Sequence, residues 1–170
     1  MSGTRPVVLA VVLTTACSHG AMAQDPGTLA ASASGVTLGA GPTEVTLGGA
    51  SEGGAPTPVA ARLKNVEAGR QIYLTFTRAQ APAAPGITYN VYLGLPANTA
   101  PRGTSDSHYV GTLNFFNAIG RPLDMSLNIT SHVGRLLASS EIGDDIRVTI
   151  VPAGEPAAAP QVARIAITVR

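Results

Sequence analysis

The second half of this chain alternates apolar and polar positions in short runs. Ile72, Leu74 and Phe76 oppose Tyr73 and Thr75; Ile87, Tyr89 and Val91 oppose Thr88, Asn90 and Tyr92; Ile146, Val148 and Ile150 oppose Arg147 and Thr149. A period of two is the mark of a strand with one buried face, and it predicts strands at 71–77, 87–93, 110–116, 123–129, 146–152 and 162–169. Residues 60–66, ahead of a Glu67-Ala68-Gly69 turn, read as the first arm of a hairpin with 71–77. Pro82 and Pro85 bracket one loop, Pro101, Gly103, Ser105 and Asp106 mark a longer one at 98–108, and an Ala- and Pro-rich loop spans 153–160. Only one segment breaks the period: Thr130-Ser131 precedes Val133, Leu136 and Leu137, the spacing of a short helix capped by its hydroxyl residues and ending near Ser139. About seven strands and one short helix make an all-β chain, an antiparallel β-sandwich or flattened barrel.

Residues 24–58 differ in kind, being Ala, Gly, Ser, Thr and Pro. Taken alone, such a segment buries too little apolar surface to order itself, so flexibility is expected, with one or two edge strands at Val36-Thr37-Leu38-Gly39 and Val45-Thr46-Leu47-Gly48. The β-domain proper is expected at 59–170. Residues 1–23 read as a secretory signal: Arg5, an apolar run at 7–16, and Ala21-Met22-Ala23 with cleavage between Ala23 and Gln24. The expectation is an exported protein, periplasmic or extracellular. The apolar run is too short for a transmembrane anchor. A lipid anchor at Cys17 is disfavoured, because Thr14 stands where a bulky aliphatic residue is usual.

Composition narrows the function classes. Of 11 Lys and Arg, Arg5 falls in the signal, which leaves the rest balanced against 10 Asp and Glu, so there is no basic footprint for nucleic acid. Trp is absent and the aromatic residues (Tyr73, Phe76, Tyr89, Tyr92, Tyr109, Phe115, Phe116) fall mostly at strand positions, where packing is the expected role. Cys17 is the only cysteine and would leave with the signal, removing thiolate chemistry and disulfides.

Candidate chemistry is sparse. His108, beside Asp106, and His132, in the first turn of the expected helix, are weak metal candidates, since two imidazoles without further strong donors do not make a site. Asp144-Asp145, Asp106, Asp124 and Glu141 do not form the converging pair a glycosidase requires. Ser105-Asp106-Ser107-His108 holds the residue types of a serine triad, but neighbours on one loop cannot adopt its geometry, and there is neither a nucleophile elbow nor a phosphate loop. Asn128-Ile129-Thr130 fits a glycosylation sequon, yet at a strand-to-helix junction it is assigned to the cap. No catalytic residues and no cofactor-binding residues are expected.

Five segments in order carry a family resemblance: Asn65-Val66-Glu67 with Ile72-Tyr73-Leu74; Thr88-Tyr89-Asn90-Val91-Tyr92; Tyr109-Val110-Gly111-Thr112-Leu113; Leu127-Asn128-Ile129-Thr130 with Leu136-Leu137; and Val148-Thr149-Ile150-Val151-Pro152. Together they resemble the C-terminal β-domain of tyrosinases and plant-type polyphenol oxidases, the domain named for its Lys-Phe-Asp-Val motif, with Thr88 and Asn90 in place of the motif's lysine and acid. The resemblance implies a β-sandwich that shields a dicopper entrance, while the histidines that bind copper belong to a helical bundle this chain lacks. It implies a non-catalytic shielding domain whose partner is a separately encoded copper oxidase of the tyrosinase type, copper being involved only through that partner. The contact surface expected on this reading takes in Tyr89, Tyr92, Asp106 and His108. The alternatives are a periplasmic copper-handling accessory protein using His108, His132 and Met125, and a structural surface lipoprotein anchored through Cys17.

Overall fold

The computed structural model describes residues 27–49 and 57–170. The signal, its cleavage point at Ala23 and Gln24, and Cys17 lie outside the described residues. In chain order the elements are β1 (Thr28–Ala31), β2 (Val36–Thr37), β3 (Thr43–Gly49), α1 (Val59–Lys64), β4 (Ile72–Ala79), β5 (Tyr89–Leu93), β6 (Tyr109–Leu113), β7 (Leu123–Asn128), α2 (Thr130–Ala138), β8 (Asp145–Pro152), β9 (Gln161–Val162) and β10 (Arg164–Val169). Eight strands form one antiparallel sheet in the order β6-β5-β8-β3-β1-β10-β4-β7, and β2 pairs with β9 beside it. The fold is all-β, as the alternation predicts, with more strands than the pattern alone distinguishes.

The sheet curls until its outer strands meet. A Cβ added at Gly111 of β6 would lie 3.0 Å from a methyl of Leu127 on β7, so the barrel is nearly closed and its seam is filled by side chains. Gly111 also has φ +153°, where L side chains are rarely found. Gly111→Ala is therefore expected to cost about 1–2 kcal/mol, from backbone strain and overpacking together. Thermal unfolding checks it, and unchanged stability would mean an open seam. Inside the barrel, Leu47, Leu74, Phe76, Val91, Val148, Ile150 and Ile165 are buried, each on the inward side of its strand.

Two sequence expectations are corrected here. Of the two expected edge strands, β2 pairs only with β9, whereas β3 is an interior strand, pairing with β8 through Val45 opposite Val148 and Leu47 opposite Ile146 and with β1 on its other side; β1, which the pattern did not mark, lies between β3 and β10. The apolar side chains of this segment are few, but Ala30 of β1, Leu38 just after β2 and Leu47 of β3 are buried because neighbouring strands supply the rest of the core. Residues 59–64 are a helix, not a hairpin arm. Val59 and Leu63, spaced four apart, are the buried positions, and the free N–H groups of Val59 and Ala60 donate to the carbonyls of Asp144 (3.1 Å) and Gly143 (3.0 Å).

Candidate functional site

Two places on the surface combine chemistry with defined geometry. The first follows β6. Phe115 and Phe116 open a short 3-10 turn (Phe116–Ala118) beyond the strand, which sends the two rings to different surroundings. Phe115 is buried and meets the Tyr89 ring edge-to-face, centroids 5.6 Å apart, whereas Phe116 is 72% exposed. The Asn114 side-chain oxygen accepts a hydrogen bond from the Phe116 amide at 2.8 Å, fixing the turn that turns the ring outward. Ile119, at the end of the same turn, is 39% exposed; these two are the exposed large apolar side chains among the described residues. Beside Phe116 runs an open groove of about 560 Å³ lined by Pro85, Gly86, Ile87, Thr88, Asn114 and Ala153. Its walls are tied together, since the amides of Ala153 and Ala157 donate to the carbonyls of Thr88 and Pro85, both at 2.9 Å.

The second place is where the β5–β6 loop meets α2. Asp106 organises the loop: its carboxylate accepts from the amides of Arg102 (3.0 Å) and His108 (2.9 Å), which hold it below the usual carboxylate range. His108 points its Nδ1 at the Leu93 carbonyl (3.0 Å) and its Nε2 at Glu141 (3.7 Å), just beyond α2. Arg135 of α2 donates to the carbonyl of Ser107. His132, one turn earlier, has a buried Nδ1 with no hydrogen-bond partner. Desolvation, followed by the Arg135 charge, holds its pKa below 6.5, and a hydrogen bond with the Tyr109 backbone opposes them.

The candidate residues are thereby sorted. Tyr89 and Tyr92 do not form an exposed contact surface, because both are buried. Tyr89 packs on Phe115, and Tyr92 sits against Tyr109 with centroids 5.8 Å apart. Each pKa is raised, in both cases chiefly by burial. Asp106 and His108 share one loop, but their polar atoms are engaged within the chain. Among the described residues no group of three or more His, Cys, Asp or Glu is placed to hold a metal. Met125 belongs to β7 and packs against the core. The Asp124 carboxylate accepts from the Arg78 amide at 2.8 Å, supporting a residue with φ 52° where β4 and β7 slip register. The start of α2 is held by Asn128 rather than by a hydroxyl cap: its side-chain oxygen accepts from the Thr130 amide at 3.1 Å, while Thr130 Oγ1 accepts from the Ile72 amide at 2.9 Å.

The residue missed in sequence is Phe116. The sequence alternation predicts a strand running to 116, whereas β6 ends at Leu113 and the chain turns at Phe116–Ala118, which is what leaves the Phe116 ring outside. Burial has left the Tyr89 hydroxyl without a hydrogen-bond partner. Tyr89→Phe is accordingly expected to leave stability unchanged or raise it by up to about 1 kcal/mol. Urea unfolding tests this, and a loss would reveal a bond that the hydroxyl makes.

A family model described as "Domain of unknown function (DUF7868)" matches residues 25–170. No curated protein matches the chain. Among solved structures, latent aurone synthase (polyphenol oxidase), recombinantly expressed and co-crystallized with hexatungstotellurate(VI), superposes with TM-score 0.50 at 13% identity, over 79% of this chain and 25% of that one. The same protein soaked in H2O2 gives 0.51 at 13% identity and equal coverage. Latent apple tyrosinase gives 0.49 at 13% identity, over 80% of this chain and 27% of that one. The region matched is the C-terminal domain region of these plant enzymes, and the chain spans about a quarter of their length. At this identity the likeness is one of fold.

Proposed function

Because the chain belongs to the DUF7868 family of domains of unknown function and has the fold found in the C-terminal region of latent polyphenol oxidases, we propose that it is an exported, non-catalytic domain that covers a protein partner. The observation that carries the reading is the outward-facing Phe116, 72% exposed and fixed beside an apolar groove. Exposed aromatic residues set against pockets are the usual anchors of protein contacts. The partner class favoured by the fold likeness is a copper oxidase of the tyrosinase type that lacks a covering domain of its own. Copper would belong to that partner.

The test adds the full chain to a tyrosinase catalytic domain expressed without its C-terminal domain. The expected result is saturable loss of diphenol oxidation, with a Kd of about micromolar or tighter by calorimetry. Absence of both binding and inhibition at roughly tens of micromolar would remove this partner. Phenol oxidation by the chain itself when supplied with copper would overturn the non-catalytic reading. Mass spectrometry of the exported form distinguishes release, with a free Gln24 terminus, from anchoring through an acylated Cys17.

A further inference from the structure

Three chain segments lie side by side where β2, β9 and the residue just after β4 make a small outer sheet. Gln80 and Gln161 exchange both backbone hydrogen bonds, at 2.9 and 2.8 Å, and Thr37 is the partner of Gln161 across β2 and β9. Cross-strand partners share a face, so the two carboxamides and the hydroxyl stand in one row, about 10 Å across at the usual strand spacing. That face is the outer one. Thr37, Gln80 and Gln161 are exposed, while the adjoining Leu38, Ala81 and Val162 are buried. Beside the row the surface is hollow, with a depression of about 250 Å³. Ala163 offers it only a methyl group, and a Cβ at Gly35 would lie 2.9 Å from the Val162 carbonyl oxygen, so no side chain fills it from that side.

Arg78 completes the rim. Its φ of 52° is a left-handed conformation, costly for an arginine inside a strand, and it stands where β4 carries an extra residue relative to β7. The Asp124 carboxylate holds its amide at 2.8 Å, so the fold secures the backbone that sets this side chain at the depression. Among the described residues its guanidinium has no ion pair. A guanidinium presents parallel N–H donors that match a carboxylate, and carboxamides and hydroxyls both donate and accept, as a ligand hydroxyl requires. No acid and no aromatic ring is found among the described residues that line the depression. Its volume, below the range of about 300–1,000 Å³ for drug-sized ligands, suits one sugar-sized unit. We propose that it binds a small hydroxylated carboxylate with the chemistry of a uronate, Arg78 taking the carboxylate and the row of Gln80, Gln161 and Thr37 the hydroxyls. The site shares no lining residue with the groove beside Phe116 and does not rest on the partner assigned there.

The experiment titrates galacturonate into the full chain while backbone amide shifts are followed by NMR. Saturable shifts are expected at Gly35, Thr37, Arg78, Gln80, Gln161 and Ala163, with a Kd of about 1 mM. Galactose, which lacks the carboxylate, and acetate, which lacks the hydroxyls, should each bind at least about tenfold more weakly. Arg78→Asn keeps the amide that Asp124 holds and tolerates the positive φ, so it should fold and lose about tenfold or more in affinity. Ala163→Leu, at an exposed methyl, should fill the depression and lose binding as well. No saturable shift up to about 20 mM galacturonate would overturn the proposal. So would unchanged affinity in Arg78→Asn, or inorganic phosphate binding as tightly as galacturonate. Should Arg78→Asn fail to fold, the comparison of galacturonate with galactose and acetate in the unaltered chain decides: preference for galacturonate supports the site, and equal binding refutes it. Polygalacturonate separates the two sources of this chemistry. Tighter binding per unit than the monomer supports the site with a polysaccharide as the source, and equal binding per unit supports it with the free acid.

Discussion

Phe76→Ala is expected to remove about 3–5 kcal/mol of folding stability and to lower Tm by on the order of 10 °C. Phe76 is buried in β4, opposite Ile165 of β10 on one side and Met125 of β7 on the other. Truncating it removes a large apolar ring and leaves a cavity between two strand pairs that cannot collapse without breaking register. For a chain of this size the loss is a large share of a total stability on the order of 10 kcal/mol. The comparison variant is Leu123→Ala at the start of β7, which is only partly buried and should cost under about 2 kcal/mol. Urea unfolding of both variants measures the difference. Equal losses would contradict a core centred on β4 and β10.

The same strands show what was legible in the sequence. In β4 the inward residues follow the alternation closely enough that the face is assigned before any coordinates: Ile72, Leu74 and Phe76 are buried as expected, whereas in β8 and β10 Thr149 and Ala166 on the opposite face are buried as well. Strand β5 departs from it. Tyr92 is on the opposite side from Val91, yet it is buried too, because Tyr109 covers it. A period of two shows which residues share a face and cannot show that both faces are covered. This is why Tyr92 was expected at a contact surface and lies instead in the interior; Tyr89 shares the face of Val91 and enters the core as the alternation itself implies.

Strand β3 leaves its expected edge position for a different reason. The composition of 24–58 argues against a core formed by that segment alone, but an interior strand draws its burial from its neighbours. Val45 and Leu47 need only find Val148 and Ile146 across the ladder. Helix α1 was hidden by its brevity: Val59 and Leu63 make a single helical repeat, and the carbonyls that complete its first turn come from Gly143 and Asp144, far along the chain. Long-range partners of this kind leave no local mark. His108 and Asp106 were correctly placed on one loop, but their partners Leu93, Arg102 and Glu141 turn them into supports of that loop.

Phe116→Asp is expected to weaken partner binding by at least about 30-fold, roughly 2 kcal/mol, while leaving folding stability within about 0.5 kcal/mol of the parent. The separation follows from its position. Phe116 is 72% exposed, so the free protein loses little packing when the ring is removed, and the Asn114 side chain still holds the Phe116 backbone amide. In a complex the ring would be desolvated, and a carboxylate in its place would have to be buried without a partner. Ile119→Asp, about half as exposed, should weaken binding less. Phe115→Asp is the contrasting case: it faces Tyr89 in the core, so its expected result is loss of the fold rather than of binding alone. Calorimetry against the tyrosinase catalytic domain, with urea unfolding of each variant, measures both quantities. Unchanged affinity in Phe116→Asp would move the contact away from the groove, and lost affinity together with lost stability would make Phe116 a packing residue instead of an anchor.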